Sequence, residues 1–373
     1  MIIISNAAYS EVKLSGSSYN ETSMVNSDEA FRYGNRSNLH LKFLSKSKGA
    51  KLTAELDFYM LYGYLVSITA QSILPQSTSI VTELMKDGQF YVDRLYLTLP
   101  FSIADIRIGK QRIAWGSGVI FRPTDNFNRP NPLSISGRKE GVNSLSAEFY
   151  TGSLSSAEFV IAPADTFNKI NGEINLEHLK YSKFASRYIT NLHKTDMAFS
   201  YQYSGEPENH IIGVDLKGDI ELGYHVEGVF IYNNDSFSGD SIEEYFQGVF
   251  GLDYSFAEKW VVLGEYFYNG PGMDKETDLS SSNFSLLDEF NYRHYLYSQV
   301  SYQHDIFIGA NALYIINMID KSSILSPAIN YSLFQNTDLN ISGQFFFGDK
   351  ADEFSPDRLE GSQIYYLKLT VKF

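Results

Sequence analysis

The chain has 373 residues, no cysteine, 30 Lys plus Arg against 44 Asp plus Glu, and a formal net charge of −14. Without cysteine there is no disulfide framework, no Cys-ligated zinc, no iron–sulfur cluster and no thioether-linked haem. The acidic balance argues against a nucleic-acid partner, which would need a basic surface, and no run of 18 apolar residues writes a transmembrane helix.

At the amino terminus, residues 1–8 read MIIISNAA, a short apolar run closing on small residues. That pattern is expected for the remnant of a secretory signal peptide, leaving 9–373 as one domain. Beyond it, period-two alternation replaces helical periodicity. In Lys51–Tyr62, Leu52, Ala54, Leu56, Phe58, Met60 and Tyr62 share a face, and Lys51, Thr53, Glu55 and Asp57 share the other. In Asp219–Tyr232, Ile220, Leu222, Tyr224, Val226, Phe230 and Tyr232 oppose Glu221, His225 and Glu227.

The predicted strands number 18. They begin near Tyr9, Arg36, Ala50, Gly88, Ile103, Gly141, Leu154, Lys183, Thr195, Asn209, Asp219, Glu243, Glu258, Asn291, Asp305, Ser323, Thr337 and Gln363. The first, eighth and tenth alternate least, so 16 strands is the alternative count. Most run about 9–13 residues, as a tilted strand needs to cross a bilayer. Connections alternate between short (Ser45–Gly49, His193–Lys194, Lys217–Gly218, Gln335–Asn336) and long (Ser17–Asn35, Gly63–Asp87, Gly116–Glu140, Gly270–Phe290, Gly348–Ser362). Short turns on one side and long loops on the other, with aromatic residues near strand ends, predict an all-β fold: a transmembrane, antiparallel, up-and-down β-barrel with periplasmic turns and extracellular loops. Closure removes the edge whose unpaired amides lipid could not satisfy. A watery lumen then accommodates the charged face.

The last strand, Tyr365–Phe373, has apolar residues at every second position and a terminal Phe. It resembles the C-terminal signature of Gram-negative outer-membrane barrels. Arg107–Asp125, RIGKQRIAWGSGVIFRPTD, is similar to a segment of 18-stranded porin-like barrels of the alginate-export type. The resemblance implies a bacterial outer-membrane porin and does not carry a substrate with it.

Chemistry is sparse. None of the seven histidines has metal-site spacing, and no phosphate or dinucleotide fingerprint occurs. Gly239–Ser241 (GDS) reads as a turn in an acidic loop. His294 and Ser298, four apart on one face, are the remote candidate for a rim hydrolase. The acidic loops, with Asp274, Glu276, Asp278, Asp288 and Glu289, and with Asp349, Asp352, Glu353, Asp357 and Glu360, read as solvated surface. No cofactor and no metal is expected.

The inward face is the candidate site. Early strands contribute Lys42, Lys51, Arg94 and Arg107; later ones contribute Asp196, Asp215, Glu221, Glu227, Asp253 and Glu265. Opposed basic and acidic arcs would set a field across a constriction; pairing with local neighbours is the alternative. The loop expected to fold inward is 116–140, with Arg122, Asp125, Arg129, Arg138 and Lys139 stiffened by Pro123, Pro130 and Pro132. Trp115 and Gly116 mark where it leaves the strand. The expected function is passive diffusion of small polar or ionic solutes through a charged lumen, in contact with outer-membrane lipid. The alternative is a scaffold barrel enclosing a partner protein; association with further copies of the chain is open.

Overall fold

Alternation becomes geometry strand by strand. In a sheet successive side chains leave opposite faces. Thr53, Glu55 and Asp57 are accordingly buried, while Leu52, Phe58, Met60 and Tyr62 stand exposed on the other face. The structure, a computed structural model, describes residues 11–27, 30–47, 49–65, 88–127, 141–164, 180–205, 208–233, 243–277, 279, 290–356 and 363–373.

Eighteen strands form one sheet. They are β1 (Glu11–Ser27), β2 (Ala30–Ser47), β3 (Ala50–Gly63), β4 (Gln89–Pro100), β5 (Ala104–Gln111), β6 (Val142–Gly152), β7 (Ser155–Ala162), β8 (Lys183–Leu192) and β9 (Thr195–Gly205). The second half comprises β10 (Glu208–Asp219), β11 (Gly223–Asn233), β12 (Glu243–Phe256), β13 (Trp260–Asn269), β14 (His294–Gln303), β15 (Ile308–Asn317), β16 (Ser323–Phe334), β17 (Thr337–Phe347) and β18 (Gln363–Lys372). Each pairs antiparallel with its sequence neighbours, and β1 pairs with β18 from Ser17↔Lys372 to Asn26↔Gln363, which closes the barrel. The count is 18, so the 16-strand alternative falls. Residues 1–8 and Gly239–Ser241 lie outside the described residues.

Connections at one end are tight throughout. Between β8 and β9, His193 and Lys194 both have left-handed φ, 50° and 68°. That is the twist that lets a two-residue hairpin follow its strands. Asn336, with φ 66°, serves the β16–β17 turn in the same way. The other end carries the longer connections, with three short exceptions: β1–β2, β9–β10 and β15–β16.

The β1–β2 exception corrects the expected loop Ser17–Asn35. The two strands run on through that stretch for 17 and 18 residues. Ser18, Asn20, Thr22, Asn26 and Asn35 interrupt the apolar outer positions there, so alternation disappears although the strands do not. Asn20 and Asn35 exchange side-chain hydrogen bonds at 3.1 and 3.0 Å, and Ser37 and Thr22 accept further ones at 2.9 and 3.1 Å. This island satisfies itself on a face that is otherwise apolar.

Elsewhere the outer face is Leu, Ile, Val and Phe at mid-height, for example Leu145, Phe199, Ile212, Phe250, Val300 and Leu367, all exposed. Aromatic bands flank it. Towards the tight turns, Trp260 packs on Tyr302 and Phe256 at 4.5 and 6.1 Å. Towards the long loops, His210 is bonded to Tyr201 and His294 to Tyr266 at 2.8 and 2.7 Å. His294 is thus a member of this band, and among the described residues no hydrogen bond joins it to Ser298. The packed core lies inside the barrel. Phe267, Tyr295, Tyr297, Ile315, Ile324 and Phe346 point inward from β13–β17 and meet Phe121, Tyr292 and Phe354 from connecting segments.

Candidate functional site

After β5 the chain enters the barrel, and inward-facing residues of β7–β13 hold it there. Trp115 Nε1 donates to Glu158 Oε2 of β7 at 2.9 Å, and the Arg187 guanidinium of β8 lies 5.7 Å from the indole. Ser117 donates to Asp215 of β10, whose other oxygen holds Arg187 at 3.1 Å. Glu227 of β11 accepts the Gly118 N–H at 2.5 Å and the Thr124 hydroxyl at 2.6 Å. Glu265 of β13 accepts the N–H groups of Val119 and Ile120, the second at 2.9 Å, and faces His225 Nε2 at 2.6 Å. Phe121 stacks on Phe267 with centroids 4.6 Å apart. The return limb is held by Gln202 of β9 on the Thr124 carbonyl at 2.8 Å and by Lys183 of β8 on the Asn126 carbonyl at 3.3 Å.

The local sequence makes this path possible. Gly116 has φ 88°, a region that L side chains rarely adopt. A Cβ there would lie 2.6 Å from both Glu227 carboxylate oxygens. Gly118 then presents its amide to the same carboxylate. A segment without its own ladder must find partners for its N–H groups. Carboxylates make the strongest such acceptors, because the hydrogen bond is charge-assisted.

The predicted site residues divide into two sets. Asp215, Glu227 and Glu265 are 8%, 1% and 0% exposed, spent on the crossing segment. On the opposite side, Glu55 lies between Lys42 Nζ at 2.8 Å and Arg94 at 3.3 Å, and Arg107 lies 3.7 Å from Glu148. These cations keep partial exposure of their side chains, 45% at Lys42, 22% at Arg94 and 36% at Arg107. Lys51 faces inward with no ion-pair partner among the described residues. The arcs therefore do not confront each other as bare charges: the acidic one is covered and the basic one pairs locally.

Arg122 folds back to donate to the Gly118 carbonyl at 2.5 Å, and Asp125 is buried in the turn that begins at Arg122. Glu221 stands in the exposed β10–β11 turn with φ 84°, where the strand has ended, so it is not part of the wall. Arg129, Arg138 and Lys139 lie outside the described residues. Glu158, Gln202, Arg187 and His225 complete the anchorage; alternation placed His225 inward, but nothing in the sequence paired it with Glu265.

A second inward assembly centres on Glu353, in the β17–β18 connection. This corrects the solvated reading for Asp352 and Glu353, which are buried, while Asp349 is exposed and Asp357 and Glu360 lie outside the described residues. Glu353 is fully buried and accepts the Asn291 N–H at 2.8 Å, Asn317 Nδ2 at 2.9 Å and the Tyr295 hydroxyl at 2.7 Å. Its own N–H donates to Asp320 at 2.8 Å. Burial pushes its carboxyl up to about 7, with Asp320 adding to the rise, against the hydrogen bonds from Asn291 and Tyr295. Among the described residues no group of three His, Asp or Glu is placed to hold a metal ion.

No family model matches the chain, and no curated protein matches its sequence. Its fold does have solved counterparts. OccAB3 of Acinetobacter baumannii superposes with a TM-score of 0.59 at 11% identity, over 97% of this chain and 99% of that one. OccAB1 of the same organism gives 0.60 at 10% identity, over 96% of each chain. The outer membrane protein OprD of Pseudomonas aeruginosa gives 0.59 at 9% identity, over 99% of this chain and 95% of that one. At these identities the likeness is one of fold, and the chain has the 18-stranded barrel that these proteins share.

Proposed function

We propose that this chain is a bacterial outer-membrane porin that lets small polar or ionic solutes diffuse through its lumen. The observation that carries the reading is the inversion of the barrel: an outer face that is apolar apart from the β1–β2 island, around an interior that holds the buried acids and their hydrogen bonds. Exposed to water, that outer face would be a large aggregation surface. In a bilayer it is the expected exterior, and aromatic bands sit where headgroups begin. Barrels of 16–18 strands are wide enough to leave an aqueous channel. The tight turns are assigned to the periplasm and the long connections to the outside.

The crossing segment 113–127 is proposed as the constriction. It covers the acidic wall and leaves Lys42, Lys51, Arg94 and Arg107 as the accessible cations of the facing wall, with Glu148 beside Arg107. Small anions are therefore favoured over cations of equal size. Likeness to an outer membrane protein such as OprD supports this reading. Swelling of liposomes containing the purified protein tests it. Influx should fall steeply with solute size; liposomes that do not swell even in the smallest solutes would rule out diffusion.

A further inference from the structure

We infer that the wall formed by β14–β17 carries a binding subsite for an uncharged, polyhydroxylated solute, a saccharide of one or two rings. The proposal deepens the porin reading and rests on it for its physiological meaning. It starts from a cavity of about 290 Å³ on the inner face of these strands, beneath Ile120 of the crossing segment. With roughly 30 Å³ for each displaced water, that is room for about ten waters. A small sugar is of that size.

The lining is chemically distinct from the rest of the interior. No charged side chain borders the cavity among the described residues. Ile120, Ile315 and Ile324 form an apolar side, Asn311, Asn330 and Asn340 a polar one, and Leu313 and Ser326 lie between them. Register explains the grouping. Asn311 opposes Ala328, Leu313 opposes Ser326, and Asn330 opposes Asn340, so alternate positions of three adjacent strands converge. Asn340 Nδ2 donates to Asn330 Oδ1 at 2.8 Å, and the Ser342 hydroxyl donates to Asn340 Oδ1 at 3.0 Å. The amide of Asn311, the hydroxyl of Ser326 and the Nδ2 of Asn330 have no hydrogen-bond partner among the described residues.

Free amides and hydroxyls offer donors and acceptors together. A sugar hydroxyl needs both, and the apolar side suits the C–H face of its ring. An ion would shed water here without gaining a counter-charge. The stripe continues towards the tight turns. A second cavity, of about 470 Å³, shares Asn311 and Asn330 and adds Gln299, Ser301, Gln303 and Ser332, with Lys259 at its border. A neutral solute can therefore exchange hydrogen bonds stepwise down this wall, while ions follow the basic wall of β2–β5.

The test is calorimetric titration of the detergent-solubilised protein with maltose, alongside glucuronate as an anion of similar chemistry. Maltose should bind saturably and glucuronate at least tenfold more weakly. Ala328→Trp, which fills the cavity, should weaken maltose at least tenfold. Asn311→Ala, too small a change to threaten folding, should weaken it severalfold. No maltose binding, equal binding of glucuronate, or maltose binding unchanged in both variants would overturn the subsite. Conductance, measured separately, keeps the two readings apart. Current without maltose binding leaves the channel and removes the subsite; maltose binding without current does the reverse.

Discussion

Glu227 and Gly118 lie 109 residues apart in the chain, yet the Gly118 N–H donates to the Glu227 carboxylate at 2.5 Å in the barrel interior. The same carboxylate takes the Thr124 N–H and hydroxyl at 3.3 and 2.6 Å. One wall residue thus holds both limbs of the crossing segment. Hydrogen bonds to a charged acceptor contribute about 1.5–3 kcal/mol each. Glu227→Ala should loosen the segment by about 3 kcal/mol or more. The expected readout is a larger and noisier single-channel current, with the barrel still folded by circular dichroism. Wild-type conductance in this variant would mean that the segment does not limit the pore.

Charge selection is separable from pore width. Arg94 and Arg107 remain partly exposed on the wall facing the segment. Reversing one charge changes the energy of an ion passing at about 4 Å by about 2 kcal/mol in a water-like medium, less at high salt. The double variant Arg94→Glu with Arg107→Glu should therefore shift the anion-to-cation permeability ratio severalfold towards cations. A reversal potential that does not move would place these residues away from the ion path.

The Glu353 assembly gives a pH dependence of defined sign. Burial raises its pKa from 4.5 to about 7. Docking of 348–356 is thus fully stabilised below about 4.5, declines as pH rises, and is weakest above about 7. The slope across that window is about 1.4 kcal/mol per pH unit. Hydrogen exchange at Phe354 should accelerate from pH 5 to pH 8 beyond the intrinsic rate. Glu353→Gln, which keeps an acceptor and cannot ionise, should flatten the trend; an unaltered trend would assign it to another group.

Most of the strand pattern was legible because lipid-facing and lumen-facing positions differ in polarity. Where they do not, reading failed for a physical reason. Ser18, Asn20, Thr22, Asn35 and Ser37 place polar groups on the outer face, which erased the alternation and made β1 and β2 look like a loop. Phe267, Tyr295, Ile315 and Phe346 place apolar groups inside, a core that face polarity alone could not reveal. Asp215, Glu227 and Glu265 were legible as inward acids. That a distant segment would consume them depends on backbone amides, which composition does not record. Glu353 looked solvated because its partners Asn291, Tyr295 and Asn317 come from other elements.

The polar island on β1 and β2 can be measured directly. Removing one partner of a reciprocal amide pair leaves the other unsatisfied at a cost of about 1–3 kcal/mol, whereas replacing both is close to neutral. Asn35→Leu should destabilise the barrel by that amount in urea unfolding from lipid vesicles. Asn20→Leu with Asn35→Leu should recover most of the loss. Additive losses would show that the pair does not act as a unit.

The central claim is an open, selective channel, and single-channel recording of the refolded protein in a planar bilayer under a salt gradient addresses it most directly. The account predicts discrete conductance steps and a reversal potential on the anion-selective side. A silent bilayer with insertion verified would contradict the channel, and steps with cation selectivity would contradict the assignment of the basic wall to the ion path.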